Sequence, residues 1–328
     1  MSSNVNTVWA GAGDDTVLAG AGNDSITGDA GNDSIGAGDG ANTVWAGAGN
    51  DTVTTGAGSD TITGDDGNDS ISAGAGNNTV WAGAGNDTVV SGAGNDSITG
   101  DAGDDSLSAG DGQNVVWGGA GNDTVTTGAG ADLVGGDDGN NVLSAGDGNN
   151  TVWGGAGNDT ITTGAGNDSI GAGDGTNLVA AGAGNDTVWG GAGADQIDGG
   201  LGFGDSLSGG GGNDTLTDPD GVVYASGDAG TDRIDLTFAA GWTLNGSAAV
   251  PAWAITGGAG NDTITVAVYN PALTLDVSGD DGTDTIEMRG TWNKVRVYGG
   301  AGSDTARIPA AVPATAFELN GVEVLIRT

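Results

Sequence analysis

The chain contains no cysteine and no histidine among its 328 residues. No disulfide framework can hold it. Acid–base chemistry is left to aspartate with a handful of cations, which argues against an enzyme. Positive charge is almost missing as well: six Lys and Arg stand against 44 Asp and Glu. Arg233, Arg289, Lys294, Arg296, Arg307 and Arg327 all lie in the last third, so residues 1–232 hold 34 acids and no base. Such a surface repels a phosphate backbone, and nucleic acid is not expected as a partner. Proline is withheld until Pro219, then recurs at Pro251, Pro271, Pro309 and Pro313, where it suits edges and breaks rather than central strands. No apolar run is long enough to span a membrane, and Met1-Ser2-Ser3-Asn4 opens without the basic and apolar segments of a signal peptide.

What the chain has in quantity is glycine, 71 residues of it, on a fixed period. Ala10-Gly11-Ala12-Gly13-Asp14-Asp15-Thr16-Val17-Leu18 is followed by Ala19 to Thr27, Gly28 to Gly36 and Ala37 to Trp45. Each unit reads small-Gly-x-Gly-(Asn/Asp)-(Asp/Asn)-(Thr/Ser)-(Val/Ile/Leu)-x, and residues 1–198 are twenty-two such nonapeptides without an insertion. The eighth position is always Val, Ile or Leu, from Val8 to Ile197. An aliphatic residue flanked by Thr or Ser suits a very short strand with one face inward. The glycines before it permit a tight turn. One strand and one turn per nine residues give two units, or 18 residues, per coil of a solenoid whose parallel strands stack ~4.8 Å apart. An apolar period of nine fits no helical face.

High acidity with few aromatics would ordinarily favour a disordered, solvating chain. Here the acids are periodic rather than clustered. Stacked coils would set carboxylates in columns one coil apart, where they repel, and hard divalent cations with oxygen ligands are the natural remedy. Folding is then expected to depend on metal.

The repeat resembles that of the repeats-in-toxin (RTX) family, whose Gly-Gly-x-Gly-x-Asp-x-aliphatic-x unit is a calcium-binding parallel β-helix signature. Ala often replaces the first Gly here, and Asn replaces the sixth-position Asp in several units. The resemblance implies an all-β parallel β-roll over residues 1–198, with several Ca²⁺ in the turns between coils. The residues that match the family's ligand position are Asp15, Asp24, Asp33, Asp51, Asp60, Asp69, Asp87, Asp96, Asp105, Asp123, Asp132, Asp159, Asp168, Asp186 and Asp195. Units preceding the two sheets form two edges of turns. One runs Asp15, Asp33, Asp51, Asp69 and onward with Asp predominating. The other alternates as Asn6, Asp24, Asn42, Asp60, Asn78, Asp96, Asn114, Asp132, Asn150 and Asp168. Asn offers an oxygen without charge, so its sites are expected to hold calcium more weakly or through carbonyls, unless Asn ladders simply hydrogen-bond along the stack. The resemblance also implies folding in extracellular calcium and one-step type I export read from an uncleaved C-terminal signal. Phe317 to Ile326 is the candidate signal, and reads equally well as the last strand of a cap.

A second period of 36 residues, two coils, overlies the first. It relates Trp9, Trp45, Trp81, Trp117, Trp153 and Trp189, and likewise Asp29, Asp65, Asp101 and Asp137. With the eighth position inward the ninth points out, so the tryptophans are expected in one outward row on every second strand, ~10 Å apart, with Thr27, Thr63 and Thr99 between them. The row could merely cover its own sheet. Aligned exposed indoles fit an interaction surface better, for another copy of the chain or for the sugar rings of a polysaccharide. An ice-binding face fits less well, because Trp interrupts the Thr.

Residues 199–328 break the register and read as a broader, irregular β-helix-like cap. Phe203 and Gly204 disturb one loop, and turn motifs persist at Gly227-Asp228, Gly257-Gly258, Gly279-Asp280 and Gly299-Gly300. Strand-like runs such as Ile264–Tyr269 and Leu273–Val277 lie between them, and Asp214, Asp232, Asp262, Asp284 and Asp304 could continue the calcium sites. A cap would hide the last strand edges, whereas the first coil has none and invites pairing with another subunit. The expectation is a secreted, non-enzymatic, calcium-rigidified structural protein that self-associates as a surface-layer, filament or matrix component. A carbohydrate-binding or adhesive module is the alternative, and a polysaccharide-modifying enzyme is less favoured because no catalytic constellation stands out.

Overall fold

The computed structural model describes residues 4–239 and 255–328, so Pro251 and the first three residues lie outside it. The chain divides into two compact units, Met1–Thr163 and Gly164–Thr328. Each is a parallel β-solenoid.

In the first unit, strands Thr7–Ala12, Ser25–Ala30, Thr43–Ala48 and Thr61–Asp66 begin one parallel sheet, which carries the tryptophans. Thr16–Leu18, Ser34–Gly38, Thr52–Thr55 and Ser70–Gly74 begin the opposite sheet. Thr7 pairs with Ser25 and Ser25 with Thr43, a step of 18 residues per coil. The strands form where Thr/Ser and aliphatic residues alternate, because that alternation sorts side chains between the faces. Val44 and Ala46 are fully buried while Trp45 between them is exposed. The core is thus one aliphatic column per sheet, Ile26, Val44, Ile62, Val80 and Ile98 on one side and Ile35, Val53, Ile71 and Val89 on the other. Small residues such as Ala37, Ala46 and Ala73 fill the inward first position.

The turns hold because the fourth-position glycine does two jobs. Gly67 has φ +138°, where an L side chain is strained, and a Cβ on it would lie 1.8 Å from the Gly49 carbonyl oxygen of the previous coil.

In the second unit the step stays near one coil at first, then lengthens. Thr187 pairs with Ser206, Ala225 with Ile255, Ile255 with Val277 and Leu275 with Val295. Strands grow to Arg233–Phe238, Thr263–Val268, the nine-residue Thr274–Gly282 and Thr285–Gly290, burying Leu236, Phe238, Val266, Val268, Leu275 and Met288. Among the described residues, ion pairs are found in this unit alone. The Arg296 guanidinium donates to both oxygens of the buried Asp276, at 2.6 and 2.8 Å. Phe317–Asn320 pairs with Lys294–Tyr298, and Val324–Arg327 with Thr305–Ile308. The segment proposed as an export signal therefore forms the strands of the final coil. Among the described residues, no helix is long and apolar enough to cross a membrane.

The two roles of the fourth-position glycine separate in two variants. Gly67→Ala adds both strain and a backbone clash, whereas Gly13→Ala (φ +114°, nothing within 4 Å) adds strain alone. Thermal melts in calcium should show Gly13→Ala losing about 1–3 kcal/mol and Gly67→Ala distinctly more; equal losses would mean that coil-to-coil approach is not limiting.

Candidate metal centre

After Asp15, the sixth-position carboxylates of the first edge are split between two tasks. Their Oδ1 accepts the backbone N–H of the corresponding residue one coil earlier. On the first edge Asp15 donates to Asp33 (2.8 Å), Asp33 to Asp51 (2.7 Å), Asp51 to Asp69 (2.8 Å) and Asp69 to Asp87 (2.7 Å). The ladder continues through Asp105 and Asp123 to Asn141. The Oδ2 of these carboxylates points inward, against the first residue of the same unit. A Cβ on Gly28 would sit 2.3 Å from Asp33 Oδ2, and one on Gly64 2.3 Å from Asp69 Oδ2. On this edge Oδ2 of Asp15, Asp33, Asp51, Asp69, Asp87, Asp105 and Asp123 is buried with no hydrogen-bond partner.

An unpaired buried polar atom costs about 1–3 kcal/mol, more when charged, and a whole domain is stable by only about 5–15 kcal/mol. A column of seven such oxygens cannot persist in a charged, uncompensated state. Neighbouring carboxylates ~4.8 Å apart add repulsion on the order of 3 kcal/mol per pair at an effective dielectric near 20. Burial, partly offset by the backbone hydrogen bond and then reinforced by neighbouring carboxylates, pushes Asp69 up to about 6 and Asp105 up to about 7. The exposed second-position acids add to this: Asp65 raises Asp51 and Asp69, and Asp101 raises Asp87 and Asp105. Asp65 and Asp101 themselves hold positive φ, 76° and 74°, where Gly would be unstrained.

A hard cation answers all of this at once. Orphaned, buried carboxylate oxygens stacked along the turns, with no base nearby in the first unit, are the donor set that Ca²⁺ takes. Over residues 2–205, and again at 254–266, the sequence matches the RTX calcium-binding nonapeptide repeat. That is more than half of the chain. It belongs to the RTX family. RTX nonapeptide repeats bind calcium, several ions per repeat region. No curated protein matches the chain closely enough to report.

In this RTX chain the residues that would hold calcium on the first edge are the seven just named. The same ladder in the second unit runs Asn177 to Asp195, Asp214, Asp232, Asp262, Asp284 and Asp304, stepping across the irregular coils. All the sixth-position acids after residue 205 therefore fall on one edge, and Asp304 N–H ends the column on Glu323 Oε2 at 2.6 Å. Burial raises Asp214 and Asp284 to about 6 and Asp232 to about 7. Glu323 was not legible as a member, since no turn motif precedes it.

The second edge is chemically different. Asp24, Asp60 and Asp132 keep an unpaired Oδ2, but Ser91 Oγ donates to Asp96 Oδ2 at 2.6 Å. Asn42 Nδ2 donates to the carbonyls of Gly38 (2.9 Å) and Gly40 (3.1 Å). Asn114 does the same to Gly110 and Gly112, and Asn150 to Gly146 and Gly148. The Asn oxygen still serves the ladder, as in Asp24 N–H to Asn42 Oδ1 at 3.0 Å. In the Asn units the amide's own N–H groups thus bond the turn carbonyls. Ladder bonding along the stack, the other reading, is present on both edges. Within the second unit Asp168 N–H donates to Asp186 Oδ1 at 2.8 Å, a ladder step of the same kind. Asp159, on the first edge, accepts from Asn141 N–H at 2.8 Å.

The tryptophans occupy equivalent positions on one sheet within the first unit. Trp9, Trp45, Trp81 and Trp153 are exposed, and Trp45 pairs with Thr27 and Thr63 on either side. Trp189, in the second unit, is exposed beside Gly171 and Ser208. The even ~10 Å spacing fails at one place: Trp117 and Trp153 stack with centroids 5.9 Å apart and planes 6° apart. The strand between them carries Gly135 where Thr27, Thr63 and Thr99 stand elsewhere, and a Cβ there would lie 2.2 Å from Trp117 Cε3. With no side chain in the way, one indole folds over the gap onto the next.

Two outcomes follow. The raised carboxylates bind protons in the folded, metal-free roll that the unfolded chain, near 3.8, has already released. Metal-free stability is therefore greatest at acid pH and is lost as pH rises toward about 7. In EDTA, circular dichroism should show strand structure gained on acidification from pH 7 to 4, while calcium affinity falls over the same range. A pH-independent EDTA spectrum would contradict the assignment. Second, Asn42→Asp with Asn114→Asp removes internal donors and adds charge. Calorimetry should show more calcium bound and a metal-free state less stable by about 1–3 kcal/mol per site.

Proposed function

We propose that this RTX protein is a secreted structural component, rigidified by calcium outside the cell, that assembles with copies of itself into a surface layer, filament or matrix. The observation that carries the reading is the tryptophan row. Trp9, Trp45, Trp81 and Trp153 expose indole on one face of one unit, a density of aromatic surface that a free monomer does not need.

Magnitudes favour collective use of the row. Covering the exposed part of one indole, roughly 100 Å², is worth about 2–3 kcal/mol. Association costs about 4–15 kcal/mol in lost freedom, so one indole cannot hold two chains while four or five in register can. Such a contact also requires the sheet to be folded, which ties assembly to calcium. Export and extracellular location follow from the same dependence, since the turns fill at the calcium levels found outside cells. A non-catalytic role is part of this proposal.

Trp45→Thr with Trp81→Thr copies the residue already present on the intervening strands, so folding should be kept. Sedimentation in millimolar calcium is expected to show large wild-type assemblies and mainly monomer for the variant, with EDTA dissociating the wild type. A wild type that stays monomeric at high concentration, with its tryptophan fluorescence quenched by soluble polysaccharide, would replace self-assembly with carbohydrate binding.

A further inference from the structure

Within the second unit the ladder through Asp168 and Asp186 ends in an arrangement absent from the nonapeptides among the described residues. Asp186 N–H donates to Asp205 Oδ1 at 2.7 Å, a step of 19 residues, because Leu201 to Gly204 adds a residue to the loop. Asp205 is fully buried and its Oδ2 has no hydrogen-bond partner. Facing it is Asp218, the last residue of strand Thr215–Asp218, only 2 % exposed and also with an unpartnered Oδ2. Asp218 stands at the inward first position of its coil, which on this edge of the first unit is held by residues such as Ala37, Thr55, Ala73 and Ser91. A third carboxylate, Asp220, arrives from the turn that follows, and oxygens of all three lie within 4.8 Å of one another.

Each carboxylate is held in place through its other contacts. Asp218 Oδ1 accepts the N–H groups of Asp220 (3.0 Å) and Gly221 (2.6 Å), which leaves Oδ2 aimed at Asp205. Both oxygens of Asp220 accept Gly202 N–H at 3.1 Å, so the inserted loop orients the third ligand. Gly199 supplies the space: a Cβ there would lie 2.6 Å from Asp218 Oδ2 and 3.4 Å from Asp205 Oδ2. Among the described residues no ion pair reaches any of the three, and Arg233, a little further along the chain, pairs with Asp235.

We propose that Asp205, Asp218 and Asp220 form a separate calcium site, outside the nonapeptide pattern, that staples the break between the regular coils and the longer ones. Three carboxylates brought in from separate stretches give a higher charge count than one sixth-position acid per turn, so this site fills before the repeat sites. Flexible all-oxygen ligation suits Ca²⁺ better than Mg²⁺, which demands near-octahedral geometry and keeps its waters. The ion ties the loop at 199–204 to the start of strand Asp205–Gly211 and the end of Thr215–Asp218, where the backbone register slips. Burial raises both acids, reinforced at Asp205 by the neighbouring Asp218 and at Asp218 by Asp220, in keeping with a cluster that needs a cation or a shared proton at neutral pH.

The test is calcium titration of the full chain at pH 7, counted by native mass spectrometry, for the wild type, Asp218→Ser and Asp220→Asn. Asp218→Ser places a hydroxyl at the position Ser91 fills, where Ser91 Oγ meets the residue thirteen places earlier, Asn78, at 3.3 Å, as position 218 stands to Asp205, and so preserves the fold. The variant is expected to lose one ion, the tightest, while the repeat ions remain; Asp220→Asn should weaken that first ion by about tenfold or more. An unchanged count and unchanged first affinity would mean that Asp205 and Asp218 share a proton, and would overturn the site while leaving calcium binding by the repeats intact. Should Asp218→Ser fail to fold, a lanthanide soaked into wild-type crystals decides: an anomalous peak among the three carboxylates supports the site, and its absence overturns it.

Discussion

The constraint on which the molecule depends is the second oxygen of the sixth-position aspartate. Oδ1 is satisfied by the backbone of the preceding coil, and that bond fixes the carboxylate so firmly that Oδ2 has no route to water. The fold thus creates its own need for a cation. A carboxylate able to swing outward would be solvated and indifferent to metal. One locked by its neighbour is a buried charge that must be neutralised for the coil to exist. Order in each turn and the demand for metal are the same hydrogen bond seen from two sides, which is why folding and calcium binding belong to one equilibrium.

The two edges spend charge differently. The first carries nearly all carboxylate, joined every second coil by Asp29, Asp65, Asp101 and Asp137 at positive φ. The second replaces alternate carboxylates by amides that bond the turn carbonyls, and at Asp96 answers a carboxylate with a buried hydroxyl. Internal donors hold those turns whether or not calcium is present. The first edge is then the sensitive one, and the metal-free chain has a partially prepared side against which the roll can close.

Much of this was written in the period. The eighth-position aliphatics gave the core, and the ninth-position tryptophans gave the sheet they share. The turn motifs at Gly227, Gly257, Gly279 and Gly299 marked ladder steps that the structure makes, Asp232 to Asp262 to Asp284 to Asp304. What periodicity could not show is what a side chain does with its second polar atom. Asn and Asp look interchangeable in the repeat because both supply Oδ1 to the ladder. They part company only at Nδ2 and Oδ2, whose partners lie across the turn and have no signature in spacing. Asp205 and Asp218 escaped for another reason: a one-residue slip moved the first out of its slot, and the second sits at a position that elsewhere carries a small residue.

Gly135 shows how little is needed to change the outer face while leaving the roll untouched. Thr at that place would hold Trp117 and Trp153 apart, as Thr27 and Thr63 flank Trp45. Its absence costs the sheet a β-favouring side chain but lets two indoles cover each other, with a stacking gain of about 0.5–1.5 kcal/mol. A stacked pair offers a partner less free ring surface than two isolated indoles do. The contact face is therefore uneven along the first unit: Trp9, Trp45, Trp81 and Trp153 stay exposed, while Trp117 is half-buried in the stacked pair. Because the inner positions and the turns are fixed by core and metal, the outward ninth position of each strand is a place where the sequence is free to set what the surface recognises.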